Sequence, residues 1–175
     1  TGVSIDSRTT KKGDIFFALK GEKFDGHNFV NDAISKGAAG IVVQSPKSKV
    51  QCPVIVVKDT VKALQNFARY YRNRFNAKVI GITGSNCKTT TKDILSSVLS
   101  QKTSVLSTPG NFNNHIGLPL TLFQLEKKHR YCVLEMGANH KGEIARLCEI
   151  SSPSVGIVTN IGTAHIGNFG SLKNI

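Results

Sequence analysis

Residues 79–91 read VIGITGSNCKTTT: an apolar run, a Gly-Ser-Asn turn, and a Lys-Thr pair that opens a helix-forming stretch. Backbone amides of such a turn, reinforced by the positive end of the following helix, bind phosphate oxygens. In that chemistry Thr83, Gly84, Ser85, Asn86, Cys87, Lys88, Thr89 and Thr90 wrap the phosphates of a nucleoside triphosphate. Lys88 neutralises the β- and γ-phosphates and the Thr89 hydroxyl ligates Mg²⁺. The usual pattern places glycine six residues before the lysine and again immediately before it. Here those positions hold Ile82, with Gly81 one residue earlier, and Cys87. A side chain at the second position adds strain of roughly 1–2 kcal/mol where a positive φ is required, and it crowds the phosphates. Cys87 reads either as a thiolate activated beside Lys88 at a helix start or as a perturbation of a nucleotide loop.

The run YCVLE (131–135) ends an apolar strand on a carboxylate. Phosphate-loop proteins bring an acid to the metal from a neighbouring strand, so Glu135 is a candidate Mg²⁺ ligand; the plainer reading is a capping or salt-bridged glutamate. His165 follows the apolar stretch 155–160 and an Ile161-Gly162 turn, where another strand-to-helix loop meets the same site. Alone, a loop histidine is a polar surface group. Asn111, Asn113 and Asn114 sit in a Pro-Gly-Asn cluster that favours turns without any ligand. Spacing alone leaves substrate contact and turn chemistry equally open.

These residues need a scaffold, and apolar runs alternating with segments of helical period predict α/β architecture with parallel sheets. Strands are expected over 15–19, 40–43 and 54–57, then over 79–83, 104–106, 131–135 and 155–160. Helices are expected over 27–39, 60–75, 88–100, 119–125 and 143–150. Two units follow, 1–76 and 77–175, joined near Asn76. Within 60–75, Lys62, Arg69, Arg72 and Arg74 lie off the apolar stripe and read as a solvated outer face rather than a nucleic-acid surface.

The 175 residues carry 23 Lys plus Arg against 11 Asp plus Glu, a formal charge of +12 that attracts anions. Cys52, Cys87, Cys132 and Cys148 contain no C-x-x-C pair, which argues against a zinc site or a disulfide framework and for a reducing, cytoplasmic setting. No apolar run is long enough for a membrane span and no signal-peptide pattern opens the chain, although Thr1 is not a start methionine. Cys52, Cys132 and Cys148 read as buried small apolar residues.

TGSNCKTTT (83–91), TPGNFNNHIGLPLTL (108–122), LEMGANHKGEI (134–144) and TNIGTAHI (159–166) together resemble the Mur ligases of peptidoglycan synthesis, as do SIDSR (4–8), GDIFFAL (13–19) and DGH (25–27). The runs NFNNHIG and EMGANH look most like the dipeptide-adding branch. Folylpolyglutamate synthetase, the ligase adding the third amino acid, and a non-catalytic nucleotide- or nucleic-acid-binding module are the alternatives. The resemblance implies a UDP-binding domain over 1–76 and a phosphate-loop ATPase domain over 77–175, incomplete and followed in the family by a C-terminal domain. It implies an ATP-dependent amide ligase in which an acyl phosphate of UDP-N-acetylmuramoyl-tripeptide is attacked by the amine of D-alanyl-D-alanine. Thr89 and Glu135 would hold one Mg²⁺, Glu135 with His165 a second; Asn113 and Asn114 would contact the muramoyl peptide, and Ser7 and Arg8 the UDP. It further implies a cytoplasmic monomer without a nucleic-acid partner, and a chain that does not turn over by itself.

Overall fold

The structure, a computed structural model, describes residues 2–21, 24–45, 50–162 and 170–171. Contacts divide the chain into two compact units, Thr1–Leu64 and Gln65–Ile175. The division falls inside a helix, upstream of the junction expected near Asn76.

In the first unit, β1 (Val3–Ser4), β2 (Ile15–Phe17), β3 (Gly40–Val43) and β4 (Val54–Val56) form one sheet in that order, every neighbouring pair parallel. β3 is buried at all four positions, as a continuous apolar run inside a parallel sheet must be. Phe16, Ala18, Ile41 and Val43 pack against Val30 and Ala33 of helix α1 (Val30–Ser35). The single helix expected over 27–39 is shorter and in two pieces. Asp25 accepts from the His27 amide at 2.9 Å and starts a 3-10 turn, Gly26–Phe29, before α1 begins.

Helix α2 (Thr60–Arg72) contains the boundary between the units. Its second half belongs to the second unit: Ala68 and Tyr71 pack into that core, and the Tyr71 hydroxyl donates to Leu125 O at 3.1 Å. Arg72 corrects the expectation of a wholly solvated basic face. Its guanidinium donates to the carbonyls of Ser151, Phe75 and Ala77 at 2.8–3.1 Å. A rigid fork of five donors suits chain ends whose carbonyls have lost their helical or ladder partners. Lys62, Arg69 and Arg74 are exposed.

The second unit contains β5 (Lys78–Thr83), β6 (Val105–Ser107), β7 (Tyr131–Glu135) and β8 (Val155–Val158) in the all-parallel order β6-β7-β5-β8. Helices α3 (Lys88–Ser100), α4 (Gly117–Leu122) and α5 (Glu143–Ser151) are the connections. Side chains alternate across a strand. Val79, Cys132 and Leu134 therefore join Leu118, Leu122, Leu147 and Ile150 of α4 and α5, while Ile80, Ile82 and Val133 meet Leu95 and Leu99 of α3. Each fully buried leucine contributes about 1.5–3 kcal/mol. Glu135, two residues beyond Val133, lies by the same alternation on the α3 side of the sheet.

Cys132 is buried, as expected, and burial pushes its thiol up to about 12. Cys52 and Cys148 are only partly buried, because each sits at the margin of its core rather than within a strand. Among the described residues, no helix is long and apolar enough to cross a membrane.

Candidate functional site at the carboxyl ends of β5 and β7

Strand β5 is apolar and buried until Thr83, where Gly84, Ser85 and Asn86 turn the chain into α3. Gly84 has φ +138°, and a Cβ there would overlap Thr159 Oγ1 and come within 3.0 Å of the Asn160 backbone. Only glycine allows that approach. The turn is pinned from the end of β8: Ser85 N donates to Asn160 O at 3.1 Å and Asn86 N to Asn160 Oδ1 at 2.9 Å. Thr159 Oγ1 donates to Asn86 O at 2.6 Å.

Cys87 adopts the left-handed conformation, φ 61° and ψ 12°, and offers no side-chain hydrogen bond to the first turn of α3. The strain anticipated at this position is present. The first-turn amides have no partner within their own helix, and the macrodipole gives that end partial positive charge. Lys88 Nζ lies over the turn, donating to Gly84 O at 2.7 Å and Ser85 O at 3.3 Å. An L-residue in this region costs about 1–2 kcal/mol, and the extra freedom of glycine in the unfolded chain offsets about 0.5–1 kcal/mol. Cys87→Gly is therefore expected to raise the thermal midpoint by about 2–4 °C, read by differential scanning calorimetry; an unchanged or lower midpoint would contradict this.

Glu135 is 3% exposed, and both of its carboxylate oxygens are engaged. Thr89 Oγ1 donates to Oε2 at 2.7 Å and Asn113 Nδ2 to Oε1 at 2.8 Å. The register Ile82↔Glu135 between β5 and β7 brings the carboxylate to the loop-bearing end of the sheet. A hydroxyl and a buried carboxylate in contact are the oxygen donors that a hard divalent cation takes. They fit Mg²⁺.

Asn113 is brought in by the segment after β6, where its carbonyl accepts from Gly137 N at 2.8 Å and its side chain lies against Gly137. Asn114 does something different: its Oδ1 accepts from Ile116 N and Gly117 N at 3.0 and 2.8 Å, opening α4. The turn chemistry weighed for this cluster thus describes Asn114, while Asn113 reaches the carboxylate. Both line a cavity of about 800 Å³ together with Gly84, Ser85, Lys88 and Arg146. Glu143, also on the wall, is desolvated, which raises its pKa; donation from the Asn139 and His140 amides outweighs this and holds the carboxyl below its ordinary range.

Of the other predicted site residues, Ser7 and Arg8 belong to the first unit, in the turn after β1. Ser7 is buried, and the exposed Arg8 guanidinium forks onto Asp6 at 2.7–3.1 Å, holding that carboxyl at about 2. Thr90 lies in the first turn of α3. His165 lies outside the described residues. Thr108, Thr159, Asn160, Lys92 and Arg146 were not singled out from sequence, although Thr108, Thr159 and Asn160 sit in the runs 108–122 and 159–166 that carry the family resemblance.

Comparison with known proteins gives the same picture. Residues 82–175 match the Mur ligase middle domain, and residues 1–72 match the Mur ligase family, catalytic domain. The UDP-N-acetylmuramoyl-tripeptide--D-alanyl-D-alanine ligase of Haemophilus influenzae is 43% identical over 177 residues, covering 99% of this chain and 39% of the relative. A crystal structure of MurF from Acinetobacter baumannii superposes with a TM-score of 0.93 at 45% identity, covering 98% of this chain and 38% of that one. MurF from Thermotoga maritima in complex with ADP gives 0.92 at 39% identity, covering 99% and 40%. The chain thus spans about two fifths of the length of these relatives, and the match over 82–175 takes in more than half of it: this chain belongs to the Mur ligase family.

Proposed function

We propose that this chain supplies the UDP-precursor-binding and ATP-binding parts of a ligase that adds D-alanyl-D-alanine to UDP-N-acetylmuramoyl-tripeptide, as a monomer in the cytoplasm. The observation that carries the reading is the meeting of Thr89, Asn113 and Glu135 beside the Lys88 turn. That the Thermotoga relative was solved in complex with ADP supports nucleotide binding.

Lys88 and the first-turn amides of α3 bind and orient the terminal phosphates, with Lys88 exchanging the Gly84 and Ser85 carbonyls for phosphate oxygens. Phosphoryl transfer is mostly positioning and charge neutralisation, and these groups supply both. Mg²⁺, when bound, would shield charge on the phosphate oxygens; Thr89 and Glu135 would hold one ion, and Glu135 with His165 a second. Asn113 keeps the Glu135 carboxylate fixed while its loop faces the acyl substrate. ATP would pass its γ-phosphoryl group to the terminal carboxylate of the tripeptide and leave as ADP; the D-alanyl-D-alanine amine would then attack the acyl carbon, so that the new C–N bond replaces the C–O bond to phosphate, inorganic phosphate departs and the amine gives up a proton. Ser7, Arg8 and the rest of the first unit, Thr1–Leu64, seat the UDP moiety.

Calorimetric titration of ADP with Mg²⁺, and separately of UDP-N-acetylmuramoyl-tripeptide, tests the reading. Saturable binding of both is expected, with tighter ADP binding by Cys87→Gly than by the parent chain. Absence of both isotherms, or a salt-dependent gel shift with RNA in their place, would refute it.

A further inference from the structure

Among the described residues, the buried Lys, Arg, Asp and Glu side chains are Lys92 and Glu135, 5% and 3% exposed. They are joined through one residue. Lys92 lies one turn beyond Lys88 on α3; its Nζ donates to Thr108 O at 3.0 Å and pairs with the largely exposed Asp93 carboxylate at 2.9 Å. Thr108 is held at two further points: its amide donates to Val133 O at 3.0 Å, and its Oγ1 accepts from the Glu135 amide at 2.9 Å. The chain leaving Thr108 is the segment that delivers Asn113 to Glu135.

A buried ammonium is costly, and an apolar side chain of similar volume is often as stable or more so. Stability alone therefore does not account for a lysine here. We propose that Lys92 is a positioning residue that ties α3 to the segment after β6, so that Thr89 from the helix and Asn113 from the loop converge on the Glu135 carboxylate. Without the tie, Thr108 keeps its two bonds to β7 but loses its direct link to the helix that carries Lys88 and Thr89, and the segment that delivers Asn113 loses it too. The proposal rests on the nucleotide reading only for what the carboxylate then serves.

The test compares Lys92→Met, Lys92→Arg and Thr108→Val in the full chain. The readouts are the Asn113 side-chain amide and Glu135 backbone amide signals in ¹⁵N spectra, and the Mg²⁺ concentration needed for ADP binding. Lys92→Met is expected to stay folded with its thermal midpoint at or above that of the parent. Its Asn113 side-chain amide should nevertheless lose its hydrogen-bonded shift, and the Mg²⁺ requirement should rise about tenfold. Lys92→Arg, whose guanidinium still reaches a carbonyl, should restore part of both; Thr108→Val keeps the carbonyl that Lys92 holds and loses only the Oγ1 that accepts from the Glu135 amide, so it should shift the Glu135 amide while leaving the Asn113 amide near its parent position. An Asn113 amide unmoved in Lys92→Met overturns the proposal, as does one unmoved in Lys92→Leu, the variant used if Lys92→Met does not fold. A parent chain that binds no ADP refutes the nucleotide reading instead, and the spectra still decide the role of Lys92.

Discussion

Glu135→Gln is expected to leave the second unit folded while removing most of the Mg²⁺ dependence of ADP binding. Glutamine keeps the shape: its carbonyl still accepts from Asn113 Nδ2, and the Thr89 hydroxyl rotates to accept from the new amide instead of donating to Oε2. Stability then changes by less than about 1 kcal/mol. The negative charge that a hard cation requires is gone. Loss of groups that merely orient a metal ligand costs about 10–100-fold in metal affinity, so loss of a ligand itself costs at least that much. Titrating ADP with and without Mg²⁺, alongside thermal unfolding, separates the two effects. A variant whose ADP affinity still rises with Mg²⁺ as in the parent would remove Glu135 from the site. Glu135→Leu is the contrasting case, leaving Asn113 and Thr89 unpartnered at about 1–3 kcal/mol.

Gly84→Ala carries the larger structural penalty. The backbone is at φ +138°, and the added Cβ overlaps Thr159 Oγ1 and meets the Asn160 backbone, so the pinned turn must open. Strain and overlap together are expected to cost roughly 2–4 kcal/mol in chemical denaturation. ADP affinity should fall at least about tenfold, because the Gly84 carbonyl that Lys88 rests on shifts with the turn. Gly110→Ala is the control: φ is +51° but nothing lies within 4 Å, so about 1 kcal/mol of backbone strain is expected with nucleotide binding unchanged. Equal penalties at the two positions would show that the close approach to Thr159 does not matter.

Where sequence and structure agree, the local signal was redundant. α3 and β7 have the predicted bounds because strand, glycine turn and helix start follow one another without ambiguity, and because YCVLE is both apolar and β-forming. Where they differ, a partner outside the element decided. β1 is two residues long and exists through its pairing with β2, which no window of sequence can show. α4 starts at Gly117 rather than Pro119 because Asn114 Oδ1 captures the Gly117 amide. The candidate site was legible as a list and not as a network: Lys88, Thr89 and Glu135 were readable from their motifs. Asn113 as the second partner of Glu135 depends on the turn after β6, and burial of Lys92 depends on Thr108 presenting its carbonyl. In a polar helix such a lysine looks like any other surface cation.

The two sheets differ in how soon their pairing partners are synthesised. Val3 meets Ile15 and Ile41 meets Val54, so the first sheet grows by adding each newly made strand to the last. In the second, Lys78 waits for Tyr131 and Ile80 for Val155. Non-local parallel pairing is slow, because the closure entropy of the intervening segment is lost before any ladder forms. On the ribosome, the early half can consolidate while β5 emerges as an apolar strand without neighbours on either side, a period in which chaperone capture or self-association competes with folding.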